Sequence, residues 1–159
     1  MNAKLVALLG QGFGGFIALR AAQLYPHDFR CVISIDAPTD PAQWLHEPPT
    51  AGGQILPSYA FAQRGAFFDG TRLAGLGVAK HAAAMTKPVF IIQNVSRSDL
   101  WKSQGTSLRD ALKRHDRVVE HMEIPSELMQ PKMYLRIAEF LNEHVYDYAV
   151  QVGEAKEVK

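Results

Sequence analysis

Six residues, Gly10-Gln11-Gly12-Phe13-Gly14-Gly15, separate an apolar run, Lys4 to Leu9, from an apolar-periodic stretch, Phe16 to Tyr25, and so sit on a strand-to-helix turn. Two chemistries need glycines at this spacing. In a dinucleotide-binding turn, G-x-G-x-x-G lets the backbone approach a pyrophosphate at a helix N-terminus, and Gly10, Gly12 and Gly15 fit that register. Asp36 ends the next apolar run, 26 residues after Gly10, where a ribose-binding acid would sit. In a nucleophile turn, G-x-S-x-G-G, a serine occupies a strained position at the tip, and here Gly12 stands in its place. The first pattern makes a cofactor-binding domain. The second makes an acyl-transfer fold without its nucleophile.

The elements around this turn follow from apolar periodicity. Strands are expected at Leu5–Leu9, Arg30–Ile35, Val89–Gln93 and Val118–Ile124. The first three are nearly all apolar, which suits a parallel sheet covered on both faces; the fourth alternates, as a strand nearer an edge does. Helices are expected at Gly14–Tyr25, ahead of Pro26, at Ser107–His115 and at Lys132–Tyr146. The order is that of an α/β protein, a mostly parallel sheet of about four strands flanked by helices. The excursion from Ala37 to Lys87, rich in Pro and Gly, is too long for a bare loop, so helix is expected near Ser58–Phe68 and Leu73–Ala84. Residues 1–150 then make a single domain, and Gln151 to Lys159 a polar tail.

With 159 residues, 47% hydrophobic and 21% charged, the chain has the composition of an ordinary soluble globular domain. A net charge of +1 gives no footprint for nucleic acid or an anionic membrane. The single cysteine, Cys31, excludes an internal disulfide framework and lies in an apolar run, as a buried inert thiol does. No apolar segment is long enough to span a bilayer and Met1 to Gly10 lacks a signal-peptide layout, so a cytoplasmic protein is the default expectation. The histidines, His27, His46, His81, His115, His121 and His144, show no metal-ligand spacing, so neither a metal nor a cofactor is expected.

Several segments in order carry a resemblance. Leu9 to Leu19, then Tyr25-Pro26, Phe29 to Ser34 and Ala37-Pro38-Thr39-Asp40 resemble the elbow region of the prolyl oligopeptidase family, whose G-x-S-x-G-G-Y turn leads through a helix to Y-P-x-x-F and a strand ending near P-V-T-D. Lys80-His81 and Met85 to Gln93 are similar to the strand before that family's acidic residue. Val119 to Pro125 and Arg136 to Leu141 are similar to its last strand and final helix. The resemblance covers about residues 4–146. It implies a partial α/β-hydrolase-like three-layer sandwich, the C-terminal half of a serine peptidase catalytic domain.

The resemblance places the triad positions on residues that cannot perform its chemistry. A serine hydrolase needs a hydroxyl at the elbow, a base within reach of it and an acid orienting the base. The nucleophile position is Gly12, the acid position, four residues after Gln93, is Arg97, and the histidine position falls on Leu128 or Met129. Candidate substitutes are Asp99, Ser126, Glu127 and His121, each with a plainer reading as a cap, loop or strand residue. The resemblance therefore implies a hydrolase homologue inactive in acyl transfer, a subunit or binding module. An active hydrolase using displaced residues or a partner chain is the alternative. The Phe13 and Gly14 amides, at an oxyanion position and a helix N-terminus, together with Arg97 are a candidate anion site.

The resemblance also implies an eight-stranded sheet in which the elbow follows the fifth strand. Leu5–Leu9 is then an unpaired apolar edge, expected to be covered by a second copy, by a partner chain, or by the rest of a longer protein of which this chain is a fragment. At the turn, Gly14 and Gly15 are expected to be the glycines pressed against the sheet, with Gly12 the more tolerant of a side chain.

Overall fold

The unbroken apolar runs are central strands, and their order is the order of the sheet. In the computed structural model, which describes residues 5–44, 50–51, 54–55, 75–125 and 129–146, β1 (Ala7–Gln11) leads into α1 (Phe13–Leu24) and β2 (Cys31–Ile35). A short α2 (Pro41–Trp44), a two-residue hairpin of β3 (Thr50–Ala51) and β4 (Gln54–Ile55), and a 3-10 segment (Val78–Ala84) follow. Then come β5 (Val89–Asn94), α3 (Asp99–Arg114), β6 (Val119–Ile124) and α4 (Met129–Leu141), which ends in a π-turn over Asn142–Tyr146. The main sheet runs β1-β2-β5-β6, all parallel, with Ala7 beside Cys31, Val32 beside Val89 and Val89 beside Val119.

Alternation along the strands divides the core in two. Val32, Val89 and Ile91 point to one face, where Phe16 and Leu19 of α1, Val78 of the 3-10 segment and Leu108 and Leu112 of α3 cover them. Cys31, Ile33, Phe90 and Ile92 point to the other, under Ile137 and Phe140 of α4, and the Phe90 and Phe140 rings meet at 5.2 Å. β2 and β5 are buried throughout, which is why their sequences do not alternate. The result is three layers, helices on both faces of a parallel sheet. Cys31 lies fully buried among them, and that burial pushes its thiol up to about 11. No helix among the described residues is long and apolar enough to cross a membrane.

Several boundaries differ from expectation, each for a local reason. β1 begins two residues later and continues through Gln11, because the backbone keeps bonding to β2 as far as the Gly12 N–H, 2.8 Å from the Ile35 carbonyl. α3 starts at Asp99 and not at Ser107: Ser98 caps it, its hydroxyl accepting from the Trp101 N–H at 3.2 Å. The expected helix at Leu73–Ala84 is a 3-10 segment over Val78–Ala84, kinked at His81. α4 begins three residues earlier than the expected helix and closes in a π-turn. The helix expected at Ser58–Phe68 and the tail from Gln151 lie outside the described residues.

Gly105, inside α3, is the residue that hid the helix. A Cβ there would collide with the Gln93 carboxamide, reaching its Cδ at 2.7 Å. That carboxamide is not free to swing away, since its Nε2 donates to the Trp101 and Lys102 carbonyls at 2.8 Å each. Helix propensity alone favours alanine over glycine by about 1 kcal/mol. Overpacking against a fixed group costs about 1–3 kcal/mol and outweighs it. Gly105→Ala is therefore expected to lower the urea midpoint, and a raised midpoint would show that Gln93 gives way.

Candidate functional site

Functional groups in an open parallel sheet gather where the strands end at their carboxyl edge. Here that edge is built by Gly12 after β1, Asp36 after β2, Arg97 after β5 and Met129 at the start of α4. Gly12 caps α1 with φ 56° and ψ −128°, a conformation L side chains rarely adopt, and its carbonyl accepts from the Gly15 N–H at 3.0 Å. Such a turn lifts the tip residue clear of strand and helix, and nothing lies within 4 Å of where a Gly12 Cβ would stand.

The turn is this tight because β1 and α1 touch backbone to backbone. A Cβ on Gly10 would collide with the Gly14 carbonyl oxygen, and one on Gly15 would meet Ala37 Cβ at 2.8 Å and the Gly10 oxygen at 2.9 Å. Gly14, by contrast, faces open space. The pinched pair is thus Gly10 and Gly15, which corrects the expectation for Gly14. Gly12 has room for a side chain and lacks the backbone freedom to carry one cheaply.

Arg97, expected at an acid position, is a cation that is already engaged. Arg97 donates through Nε and Nη2 to Asp36 Oδ2 at 3.1 and 3.0 Å, and its guanidinium lies 5.1 Å from the Trp101 ring centre. Asp36 itself is buried, with a positive φ of 46° and a second oxygen that accepts from Trp101 Nε1 at 2.8 Å. Trp101 was a residue that motif reading missed. Its pairing with Asp36 joins the end of β2 to the first turn of α3, and no spacing in the sequence signals it. The group read as a ribose-binding acid is thereby occupied by internal partners, as is the cation proposed for an anion site. Phe13 and Gly14 do stand in the first turn of α1.

Among the described residues, the candidate substitutes His121 and Asp99 do not converge on Gly12. His121 sits mid-strand in β6, opposite Ile91. Since Gln93 Nε2 donates twice, its Oε1 is the acceptor facing His121 Nε2 at 3.0 Å, so that nitrogen carries the proton and Nδ1 faces Arg109 Nη1 at 3.3 Å. Burial holds the His121 pKa below its ordinary value, with Glu123 and Asp110 opposing and Arg109 and Lys113 reinforcing the shift. Asp99 is an exposed first-turn residue bonded to Lys102 Nζ at 2.6 Å, an interaction that holds its carboxyl below the usual range. Ser126, Glu127 and Leu128 lie outside the described residues, as does the side chain of Met129. One trio, Glu120, Glu143 and His144, brings potential metal-ligand atoms within 4.8 Å of one another. Arg136 takes both Glu120 oxygens, at 3.0 and 2.6 Å, so that carboxylate is already satisfied by a cation.

The alpha/beta hydrolase fold family matches residues 1–85, a stretch that contains the whole glycine turn and runs past the second strand. The chain belongs to that family. Among solved structures it is similar to acylaminoacyl peptidase from Pyrococcus horikoshii, with a TM-score of 0.72 and 13% identity over 91% of this chain and 25% of that one. It is also similar to an acylaminoacyl peptidase solved with Z-Gly-Gly-Phe-chloromethyl ketone, with a TM-score of 0.73, 13% identity, and coverage of 91% of this chain and 24% of that one. These likenesses concern the fold, and the chain spans about a quarter of the length of those peptidases. No curated protein matches it in sequence.

In this hydrolase-fold chain the glycine turn joins β1 to α1 at the carboxyl edge of the sheet, with Gly12 at its tip.

Two measurements follow. Gly10→Ala and Gly15→Ala are expected to destabilise by about 2–4 kcal/mol through collision and strain, Gly12→Ala by about 1–3 kcal/mol through its backbone angles, and Gly14→Ala not at all. Equal melting shifts for all four would refute the turn geometry. For His121, a depressed pKa means that the unfolded chain binds the extra proton first, so its contribution is complete above pH 6.5 and is lost as pH falls below that value. The His121 ring is expected to titrate below 6.5 by NMR. His121→Gln should flatten the fall in urea midpoint between about pH 7 and about pH 5.

Proposed function

We propose that this chain is a hydrolase-fold protein of prolyl-oligopeptidase type that does not carry out acyl transfer itself and serves as a subunit or binding module. The observation that carries the reading is Gly12 at the elbow tip, in the left-handed backbone conformation of a nucleophile and with no side chain to act as one. Covalent catalysis requires a hydroxyl or thiol there, a base in hydrogen-bond reach and an acid behind it. Arg97 at the acid position, bonded to Asp36, supports the same reading. The catalytic alternative, with displaced residues, has His121 as its candidate base. Both ring nitrogens of that histidine face other side chains, three strand positions short of the carboxyl end of β6.

The test is direct. The purified chain should take no label from a fluorophosphonate probe and should hydrolyse p-nitrophenyl esters and dipeptide amides no faster than background. Gly12→Ser alone should restore little, since an unassisted hydroxyl is a poor nucleophile. Turnover by the unmodified chain that disappears on changing Ser126 or His121 would overturn the proposal, and a melting shift with NAD(H) would favour the cofactor reading of the glycine turn.

A further inference from the structure

A small cavity of about 50 Å³ lies between the loop after β2, the start of the 3-10 segment and α3. Thr39, Gly77 and Gln104 are buried and form its floor, while Gln43, Lys80 and Ser107 are exposed and form its rim. At roughly 10–15 Å³ for each water-sized group, it takes about four of them, the size of the polar end of a small organic molecule.

Gln104 sets the chemistry of that floor. Thr39 Oγ1 donates to the Gln104 carbonyl and the Asp40 N–H donates to Gln104 Oε1, both at 3.0 Å. A backbone N–H can only donate, so the carboxamide cannot be reversed, and Nε2 is the end left over. That nitrogen is buried and meets no acceptor among the described residues, and Gln104 as a whole is 3% exposed. A buried donor in this condition is costly. Gln93, the neighbouring carboxamide on β5, has its donors and its acceptor engaged, so Gln104 is the exception. The loop after β2 supplies an acceptor. Asp40 Oδ1 accepts from the Ala42 and Gln43 N–H groups at 3.0 and 3.3 Å. Asp40 Oδ2 and Lys80 Cδ flank Gly77, 3.8 and 3.7 Å from where a Cβ on that glycine would stand.

We propose that this cavity binds a primary carboxamide, whose carbonyl accepts from Gln104 Nε2 and whose NH2 group donates to Asp40 Oδ2. The charges of the lining select against ions: a carboxylate would meet the Asp40 carboxylate, and an ammonium would meet the Lys80 cation and the Gln104 donor. A hydroxyl carries donor and acceptor on one atom, whereas the groups to be satisfied here belong to different elements, α3 and the loop after β2. Gly77 and Ala79 leave an apolar strip for the methyl or methylene group beside the amide. Two sources share this chemistry, a small free amide and the side chain of a glutamine in a polypeptide. The inference does not depend on the catalytic reading: an active esterase that bound amides here would overturn that proposal and leave this one standing.

Acetamide titrated into the isotope-labelled full chain should shift the Gln104 side-chain amide and the Gly77 and Ser107 backbone resonances, with a dissociation constant on the order of millimolar for so small a ligand. Acetate and isopropanol, of similar size, should bind about tenfold more weakly. Gln104→Glu keeps an acceptor for the Asp40 N–H and removes the donor, and should weaken acetamide on the order of tenfold. Should that variant unfold, Gly77→Ala reads the same site: its Cβ makes only ordinary contacts, at 3.7 and 3.8 Å, and narrows the cavity with the fold intact. N-acetylglutamine methylamide binding more tightly than acetamide makes a polypeptide side chain the source, and binding no more tightly makes it a free amide. No shift with acetamide, an equal response to acetate or isopropanol, shifts that survive both substitutions, or crystals soaked in acetamide that hold only an ordered water at Nε2 would each overturn the inference.

Discussion

The contact on which the rest is built is that of two backbones, β1 and α1, with no side chain between them. Gly10 and Gly15 admit it because a methyl group at either would strike the opposing chain. That approach sets the height of α1 above the sheet, and with it the packing of Phe16 and Leu19 onto Val32. It also forces the chain to reverse direction at one residue, and this is why Gly12 has its unusual dihedral angles. The Ile35 carbonyl holds the turn down through the Gly12 N–H, so the end of β2 and the elbow are one unit. A local steric fact at three glycines thus carries to the far end of the neighbouring strand.

Much of this architecture was legible in the sequence because hydrophobic burial dominates it. Strands buried on both faces have to be apolar at every position, and the Cys31–Ile35 and Val89–Asn94 runs announce themselves. The expected strands lie side by side in chain order, all parallel. Legibility fails where polar residues pair over distance. The first half of α3 contains Ser, Thr, Gln and Gly and reads as loop, yet it is helix because Gln93 reaches two of its carbonyls and needs Gly105 beside it. Asp36 and Arg97 are 61 residues apart, and neither carries a local sign of the other. The glycine run was placed correctly, but which of its glycines is pinched depends on the helix phase relative to the strand, which no periodicity argument fixes to one residue.

Polar side chains on the sheet serve internal closure. Gln93 uses its whole carboxamide, two donors to α3 and one acceptor to His121, and so ties β5, β6 and α3 together. Asp36 does the same for β2, β5 and the start of α3 through Arg97 and Trp101. Both networks lie where a parallel sheet would ordinarily offer groups to a ligand. Each is satisfied within the chain, which is the usual condition for keeping polar atoms out of water.

The Asp36–Arg97 pair also determines which changes of sequence remain open to the molecule. Suppose the residue at position 97 were exchanged for a carboxylic acid. The new group would face Asp36, a buried carboxylate stripped of its counter-charge, and two anions would share a site built around one cation. An acid at position 97 therefore begins with a loss of stability. The ion pair thus fixes the sign of the charge at position 97, and an acid there would require a compensating change at Asp36.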